Sequence, residues 1–457
     1  MNILNLSDLY NYINNYTTNK NDKKMRGSVF TDTKLINDML NLLPKNVWTN
    51  PDLKWLDPCC GIGNYFIVVY ERLMNNLPIT DINDRRKHIL ENMLYFIELD
   101  TKYMEILKDI FISDTYKLNI FNGSFFYLHT LDDTIKIYDY DVFNLYFDII
   151  ITNPPYQKPN MKHKDKLSAK PLYHLFVING LKYLKNDGYL SYIHPISWRR
   201  KSKEIKIIND ILNYKLIYIY TNNKFNNFGI SAPYINYYLL QKSNYNINHK
   251  TIYDTYFNDK HYYGKIHLNK NLEYIPVLLN NHTINILNKI INKKGEKFDV
   301  QLEAKLSTEK KNIAKIKDDT FEYLNLHTYS KKNGRIFRYS NKKHPCHDKL
   351  KILMNFKGGY NYLDPFIDNG TMGITDNSMR LYVNEQNKDD LLHFFNSDLL
   401  KFLLMITTYN YGANQKNEFH IINTFTIPDK KDYCIFYCIN DIERKFIYEF
   451  YNLSVFQ

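Results

Sequence analysis

Between Trp55 and Leu240 the chain alternates short apolar runs with longer segments of helical spacing, and this alternation constrains the fold more than any other feature. KWLDP is a short buried strand and NYFIVVYERLMNNL the helix after it. MLYFIELD is a second strand, followed by the helical KYMEILKDIF. YKLNIFNGSFF gives a third strand and a turn, and FDIIITNPPY a fourth. PLYHLFVINGLKYLKNDG is an amphipathic helix stopped by Gly188. GYLSYIHPISW, KLIYIYTN and YINYYLLQK complete the strands. Strands separated by helices build an α/β sheet with helices covering it. The segment 75–90 is longer than a crossover needs and predicts an extra helix or a local insertion. After about Ser243 the texture changes. NYNINHKTIYDTYFNDKHYYGKIHLNK is polar and aromatic with weak periodicity, and INKKGEKFDVQLEAKLSTEKKNIAKIK predicts a solvated helix. From Phe321 to Val383 short strand-like pieces alternate with Gly and Asn turns. DDLLHFFNSDLLKFLLMITT is the clearest later helix. The chain divides into an α/β domain, 1–245, and an α+β domain, 246–457.

Composition narrows the partners. A hydrophobic fraction of 44% and an aromatic fraction of 16% supply sizeable cores and argue against low-complexity disorder. A formal charge of +12 suits a polyanionic partner, though charge alone does not name one. The polar-interrupted N-terminus has no signal-peptide pattern, and no run of about 18 apolar residues predicts a membrane span. Of the five cysteines, Cys59 and Cys60 are adjacent, while Cys346, Cys434 and Cys438 are distant from them. No disulfide framework or zinc spacing emerges, so the expectation is an intracellular, cytoplasmic protein with free thiols and no metal.

Chemistry concentrates at the strand ends, where open α/β sheets bind ligands. The first strand runs into Asp57, with Gly61 and Gly63 in the next turn, where glycine allows tight turning and close approach of a ligand. An ordinary turn would use the same glycines. The second strand ends in Glu98 and Asp100; an acid there can accept hydrogen bonds from ribose hydroxyls, and Asp100 can equally cap a helix. The third leads to Ser124, able to bond an adenine edge, and Phe125, able to cover its face. The fourth ends in Asn153-Pro154-Pro155-Tyr156. Neither proline has an N–H to offer, so strand pairing stops there. What the site gains is a pair of fixed acceptors, the Asn153 side-chain oxygen and the Pro154 carbonyl. An aromatic amine such as adenine N6 is a poor nucleophile because its lone pair is delocalised. Acceptors on both its N–H bonds favour the positive charge that develops in attack. Tyr156 can stack on the base.

DPCCGIGN resembles motif I, and NPPY motif IV, of the S-adenosylmethionine-dependent N6-adenine DNA methyltransferases, over roughly Gly27 to Leu240. The resemblance implies a Rossmann-like seven-stranded methyltransferase sheet with S-adenosyl-L-methionine as cofactor. It implies Asp57 near the methionine amino group, Glu98 on the ribose, and Cys59, Gly61, Gly63, Ser124, Phe125 and Asn153 among the cofactor contacts. RGSVFTD looks like motif X, with Thr31 against the methionine part; KFNNFGISAPYINYYLL resembles motif VIII, with Phe228 packing on the target base. Ser124 departs from the aspartate usual in this family. The motif order, cofactor motifs before NPPY and a large domain after, is that of the gamma group, whose target-recognition domain is C-terminal. The implied partner is double-stranded DNA with a specific adenine site, flipped out for reaction, with a separately encoded restriction endonuclease and a monomeric enzyme. Lys158, Lys162, Lys164, Lys166 and Lys170 after the motif, and Arg199, Arg200 and Lys201, are candidate phosphate contacts or solvated charges. His174 and His194 read as core or pocket residues.

Other readings of the same motif are an RNA adenine-N6 methyltransferase and a protein glutamine methyltransferase, because NPPY suits any planar amine or amide. A binding protein on a decayed methylase fold is opposed by the intact Asp57, Gly61, Gly63, Asn153 and Tyr156. A dehydrogenase fingerprint expects a third glycine where Phe66 stands.

Overall fold

The computed structural model describes residues 31–111, 114–125, 145–156, 171–200, 206–222, 234–302, 312–355, 363–408, 419–429 and 432–454. The chain forms two compact units, Met1–Tyr274 and Ile275–Gln457.

The first unit is built on one sheet. Its strands are β1 (Trp55–Asp57), β2 (Leu94–Glu98), β3 (Asn119–Asn122), β4 (Phe147–Thr152), β5 (Leu184–Pro195), β6 (Tyr214–Asn222), β7 (Ile235–Asn244), β8 (Thr251–Phe257) and β9 (Lys260–Ile266), in the order β3-β2-β1-β4-β5-β7-β6-β8-β9. Strands β1 to β5 run parallel, and β7 inserts antiparallel between β5 and β6. The helices are α1 (Thr33–Leu40), α2 (Asn64–Asn76), α3 (Ile82–His88), α4 (Thr101–Ile110), α5 (Tyr173–Tyr183) and α6 (Ile208–Leu212). Ile67, Val68 and Val69 are weak helix formers, yet α2 holds because burial of Tyr65 through Tyr70 and of Leu73 outweighs propensity. Phe66 on α2 meets Phe96 on β2 edge-to-face at 5.0 Å. The extra helix foreseen between 75 and 90 is α3, capped by the Asp81 carboxylate.

Three expectations need correction. The sheet has nine strands rather than seven. Thr251–Phe257 is buried at every second residue, the mark of a strand with one face on a core. Asn258 and Asp259, at φ 48° and 62°, form the two-residue turn into β9. Because β8 pairs with β6, these strands extend the first sheet, and the division between units falls at Tyr274 rather than at 245. Secondly, α5 ends at Tyr183 and Gly188 lies inside β5. Its function is close approach, since a Cβ there would stand 2.8 Å from the Asp148 carbonyl oxygen. Thirdly, DDLLHFFNSDLLKFLLMITT is two helices, Lys388–Asn396 and Asp398–Thr407. Ser397 is extended at ψ 150° and its hydroxyl caps the second.

The second unit is α+β, with two four-stranded sheets. One comprises β10 (Gln301–Leu302), β14 (Leu350–Asn355), β15 (Phe366–Asn369) and β17 (Ser378–Tyr382). The other comprises β11 (Ile313–Ala314), β12 (Tyr323–Ser330), β13 (Gly334–Ser340) and β16 (Gly373–Ile374). The solvated helix expected from 291 to 317 is absent among the described residues there; the helix of this region is Asn281–Ile291, fixed by an Asn280–Thr283 capping box. Lys351 and Asp368 form a fully buried ion pair between β14 and β15. Burial alone would raise the Asp368 carboxyl, but hydrogen bonds from Lys351 and Thr371 hold it below the usual carboxylate range. Among the described residues no helix is long and apolar enough to cross a membrane.

Candidate active site

The carboxyl ends of β1, β2 and β4 meet in one network. Asp57 is buried at the end of β1. Its Oδ1 accepts from the Thr152 hydroxyl at 2.7 Å and from the Cys59 backbone N–H at 3.2 Å, while the buried Oδ2 has no hydrogen-bond partner. Burial, helped by the charge of Glu98 and opposed by these bonds, lifts the Asp57 carboxyl from 3.8 to about 7. Since Thr152 donates to Asp57, it accepts from the Cys59 thiol at 2.9 Å. Burial raises that thiol well above its ordinary range, so Cys59 is a packed hydrogen-bond donor and not a nucleophile.

The glycines divide the work of the turn. Gly61 has φ 56°, and no atom lies within 4 Å of the place a Cβ would occupy. The turn is therefore left-handed with open space above it. Gly63, at φ 90°, starts α2, and a Cβ there would come within 2.8 Å of the Phe111 ring. The Gly61 N–H donates to Glu98 Oε2 and the Asp100 N–H to Oε1, both at 2.8 Å. Glu98 is thus fixed at the end of β2, and its oxygens keep further lone pairs for a hydroxyl. Burial raises its carboxyl. Asp100 caps α4 through the Lys102 N–H, the structural role open to it from sequence.

At the end of β3, Ser124 is half-buried. Phe125 is packed inward, stacked on Phe176 at 5.8 Å and against Tyr183, so its ring is occupied by α5. At the end of β4, Asn153 is half-buried, Pro154 buried and Pro155 exposed. The Asn153 Nδ2 donates to Thr31 Oγ1 at 3.1 Å. The Tyr156 ring packs on the core, while its buried hydroxyl has no hydrogen-bond partner and burial pushes the phenol up. Thr31, at the foot of α1, directs its hydroxyl to Asn153.

Phe228, Lys201 and the lysines from Lys158 to Lys170 lie outside the described residues. Arg199 is fully buried and donates to the Thr221 hydroxyl, and Arg200 is buried beside Tyr274, so neither is placed to meet a phosphate at the surface. His194 is a core residue: its ring stacks on Tyr173 at 4.6 Å and Nε2 pairs with the Tyr238 hydroxyl at 3.2 Å. Burial lowers its pKa to about 3, which keeps it neutral. Among the described residues no group of His, Cys, Asp and Glu is arranged to hold a metal. Thr152 was missed by sequence reasoning. Its signal was available, since it is the one hydroxyl closing the apolar run FDIIIT just before Asn153.

Residues 75–230 match the family described as Eco57I restriction-modification methylase. An uncharacterized adenine-specific methylase of Mycoplasma pneumoniae is 27% identical, over 41% of this chain and 62% of that protein. The type II methyltransferase M.VspI of Vibrio sp. (strain 343) is 25% identical, over 41% of this chain and 40% of its own length. The chain therefore spans under two thirds of the length of either relative. A nuclease-deletion mutant of the Type ISP restriction-modification enzyme LlaGI, solved with a DNA substrate mimic, shares the fold at TM-score 0.57. The identity is 12%, over 86% of this chain and 54% of that one. Sheet order and strand-end residues define a methyltransferase-type α/β domain. The chain belongs to the adenine-specific, S-adenosylmethionine-dependent methyltransferase family, with the family match lying in its first unit.

Proposed function

We propose that this chain is a site-specific DNA adenine methyltransferase that moves the methyl group of S-adenosyl-L-methionine to N6 of a flipped-out adenine. The observation that carries the reading is Asn153-Pro154-Pro155-Tyr156 at the end of β4, joined through Thr152 to Asp57 at the end of β1. The residues present fit the cofactor. Asp57 Oδ2 is a buried acceptor with no partner, suited to an ammonium group, and the space above Gly61 is open. Glu98 is held ready for ribose hydroxyls. When bound, S-adenosylmethionine supplies an electrophilic methyl on a sulfonium.

The chain's own residues then prepare the amine. Asn153 Oδ1 and the Pro154 carbonyl accept its two N–H bonds and stabilise the charge that appears on nitrogen. Tyr156 offers a ring for stacking. No strong base is needed before attack, because the N–H becomes acidic once the methyl has moved. The second unit is assigned to recognition of the target sequence, with the basic excess of +12 favouring double-stranded DNA as partner. The names of the two relatives, an adenine-specific methylase and a type II methyltransferase, agree with this assignment. A monomeric, intracellular enzyme working beside a separately encoded endonuclease completes the proposal.

The test uses labelled S-adenosylmethionine with duplex DNA of mixed sequence, single-stranded DNA and RNA in parallel, digested to nucleosides and resolved by mass. N6-methyldeoxyadenosine from duplex, lost in Asn153→Ala, is the expected result. Label in RNA alone would keep the chemistry and replace the substrate; label in neither would end the nucleic-acid reading.

A further inference from the structure

An amide side chain has two nearly isosteric ends, and only one of them serves as an acceptor. If Asn153 is to accept from an amine, something must hold its oxygen arm free. Asn153 Nδ2 lies 3.1 Å from Thr31 Oγ1. A threonine hydroxyl can both donate and accept, so this contact alone does not choose between the amide's two orientations. The choice is made further along. The Thr31 hydroxyl also hydrogen-bonds the Tyr65 phenol on α2, and the Tyr65 hydroxyl lies 3.5 Å from the sulfur of Met39 on α1. Thr31, Tyr65 and Met39 are all buried, so no solvent is at hand to satisfy a reversed arrangement.

The chain has a direction because its last member has no proton to give. A thioether sulfur only accepts. Tyr65 therefore donates to Met39, Thr31 donates to Tyr65, and the remaining lone pair of Thr31 accepts from Asn153 Nδ2. We propose that the Met39 thioether, acting through Tyr65 and Thr31, sets the orientation of the Asn153 amide and leaves Oδ1 as the free arm. This rests on the reading of Asn153 as the acceptor for the target amine. Thr31, Tyr65 and Met39 are positioning residues. Reversing the chain would set the Tyr65 proton toward Thr31 and the Thr31 proton toward Asn153, presenting the amide's N–H₂ where an acceptor is needed.

Two measurements test it. The first needs no substrate: selective ¹⁵N-asparagine labelling, with the Asn153 side-chain NH₂ pair identified by its loss in Asn153→Ala. Thr31→Val should shift that pair and speed its exchange with water. Met39→Leu, two residues removed along the chain, should do so as well, and Thr31→Ser should leave the pair at its wild-type position. The second is single-turnover methyl transfer beside direct titration of S-adenosylmethionine. Thr31→Val and Met39→Leu should slow transfer about tenfold, the loss of about 1.4 kcal/mol of preorganisation, with cofactor affinity held within about threefold and Thr31→Ser restoring the rate. An unchanged NH₂ pair in Thr31→Val would overturn the proposal. So would a loss confined to cofactor affinity, which would return Thr31 to direct cofactor contact. A wild-type protein that methylates no adenine removes the functional reading, while the NH₂ pair still decides whether the chain orients the amide.

Discussion

Replacing Asp57 by Asn separates what the fold prefers from what the site requires. The Asp57 carboxyl titrates at about 7 in the folded protein against 3.8 ordinarily, chiefly because it is buried. The folded state therefore holds one more proton than the unfolded state between about pH 4 and 7. Stability from this group is full below that window and is lost as pH rises through it, at about 1.36 kcal/mol per unit. Asparagine keeps the acceptor for Thr152 and Cys59 but does not ionise. It leaves a buried donor where Oδ2 stood, a cost of about 1–3 kcal/mol that does not vary with pH. The fixed offset cancels when the two proteins are compared at two pH values. From pH 5 to pH 8 about two units of the window are crossed, so the stability of Asp57→Asn relative to wild type should rise by about 3 kcal/mol. For a unit of this size that is a relative gain of about 6–12 °C in melting temperature. The assay is thermal unfolding of both cofactor-free proteins at the two pH values, with S-adenosylmethionine titrated into each at pH 8. The variant should bind the cofactor at least tenfold more weakly, about 1.4 kcal/mol, having lost the charge that faces the ammonium. Wild-type affinity should climb between pH 6 and 8 as the carboxylate forms. A melting difference that is the same at pH 5 and pH 8 would refute the burial argument. Undiminished binding by the variant would refute the ammonium role.

Asn153→Ala should reduce methyl transfer by about 10²-fold or more while cofactor affinity stays within about threefold, because it removes an acceptor for the developing charge; equal loss in both would undo that division of roles. Gly61→Val places a branched side chain at φ 56° and fills the open space above the turn. It should lower stability by about 1–2 kcal/mol and abolish measurable cofactor binding, whereas binding at wild-type strength would show that the space is not the cofactor's. Lys351→Met leaves Asp368 charged and buried without its partner, so denaturant unfolding of the second unit should show a loss of about 3–5 kcal/mol. A chain ended at residue 274 should stay soluble and cooperative in melting, while one ended at 245 bares the β6 edge and should aggregate; equal behaviour would place β8 and β9 outside the first unit.

Much of the first unit was legible because its strands are short apolar runs at regular spacing, and the order from β3 to β6 follows from the motifs they carry. The missed parts have physical reasons. Strands β8 and β9 are rich in Tyr, His and Asn, so their alternation lies in which face is buried rather than in apolar against polar residues. Gly188 looked like a helix stop because glycine commonly ends helices, but here the constraint came from the Asp148 carbonyl on the neighbouring strand, which no local pattern encodes. Arg199 resembled a phosphate contact by composition; burial against Thr221 decided otherwise. Ser397 divides a continuous apolar stretch because its hydroxyl offers the Leu400 N–H a cap that an apolar residue could not.

The same contrast runs through the site. Asp57, Gly61, Glu98 and Asn153 are visible in sequence because each must be one residue type: an acid, a residue tolerating positive φ, an acid, and an amide. Their supports need only a property that several residue types share. Thr152 needs a hydroxyl that can give a proton to Asp57 and take one from Cys59. Phe111 needs bulk beside Gly63. Met39 needs a lone pair and no proton, and in sequence it is one more apolar residue on the buried face of α1. Such groups emerge only when the donors and acceptors of a buried network are followed to its end. Direction in the Asn153 chain comes from a terminus that cannot donate, just as direction in the Cys59–Thr152 pair comes from a carboxylate that accepts. Both chains bring protons away from the reaction face, leaving acceptors at Asn153 and Asp57 where a site for an amine and an ammonium requires them.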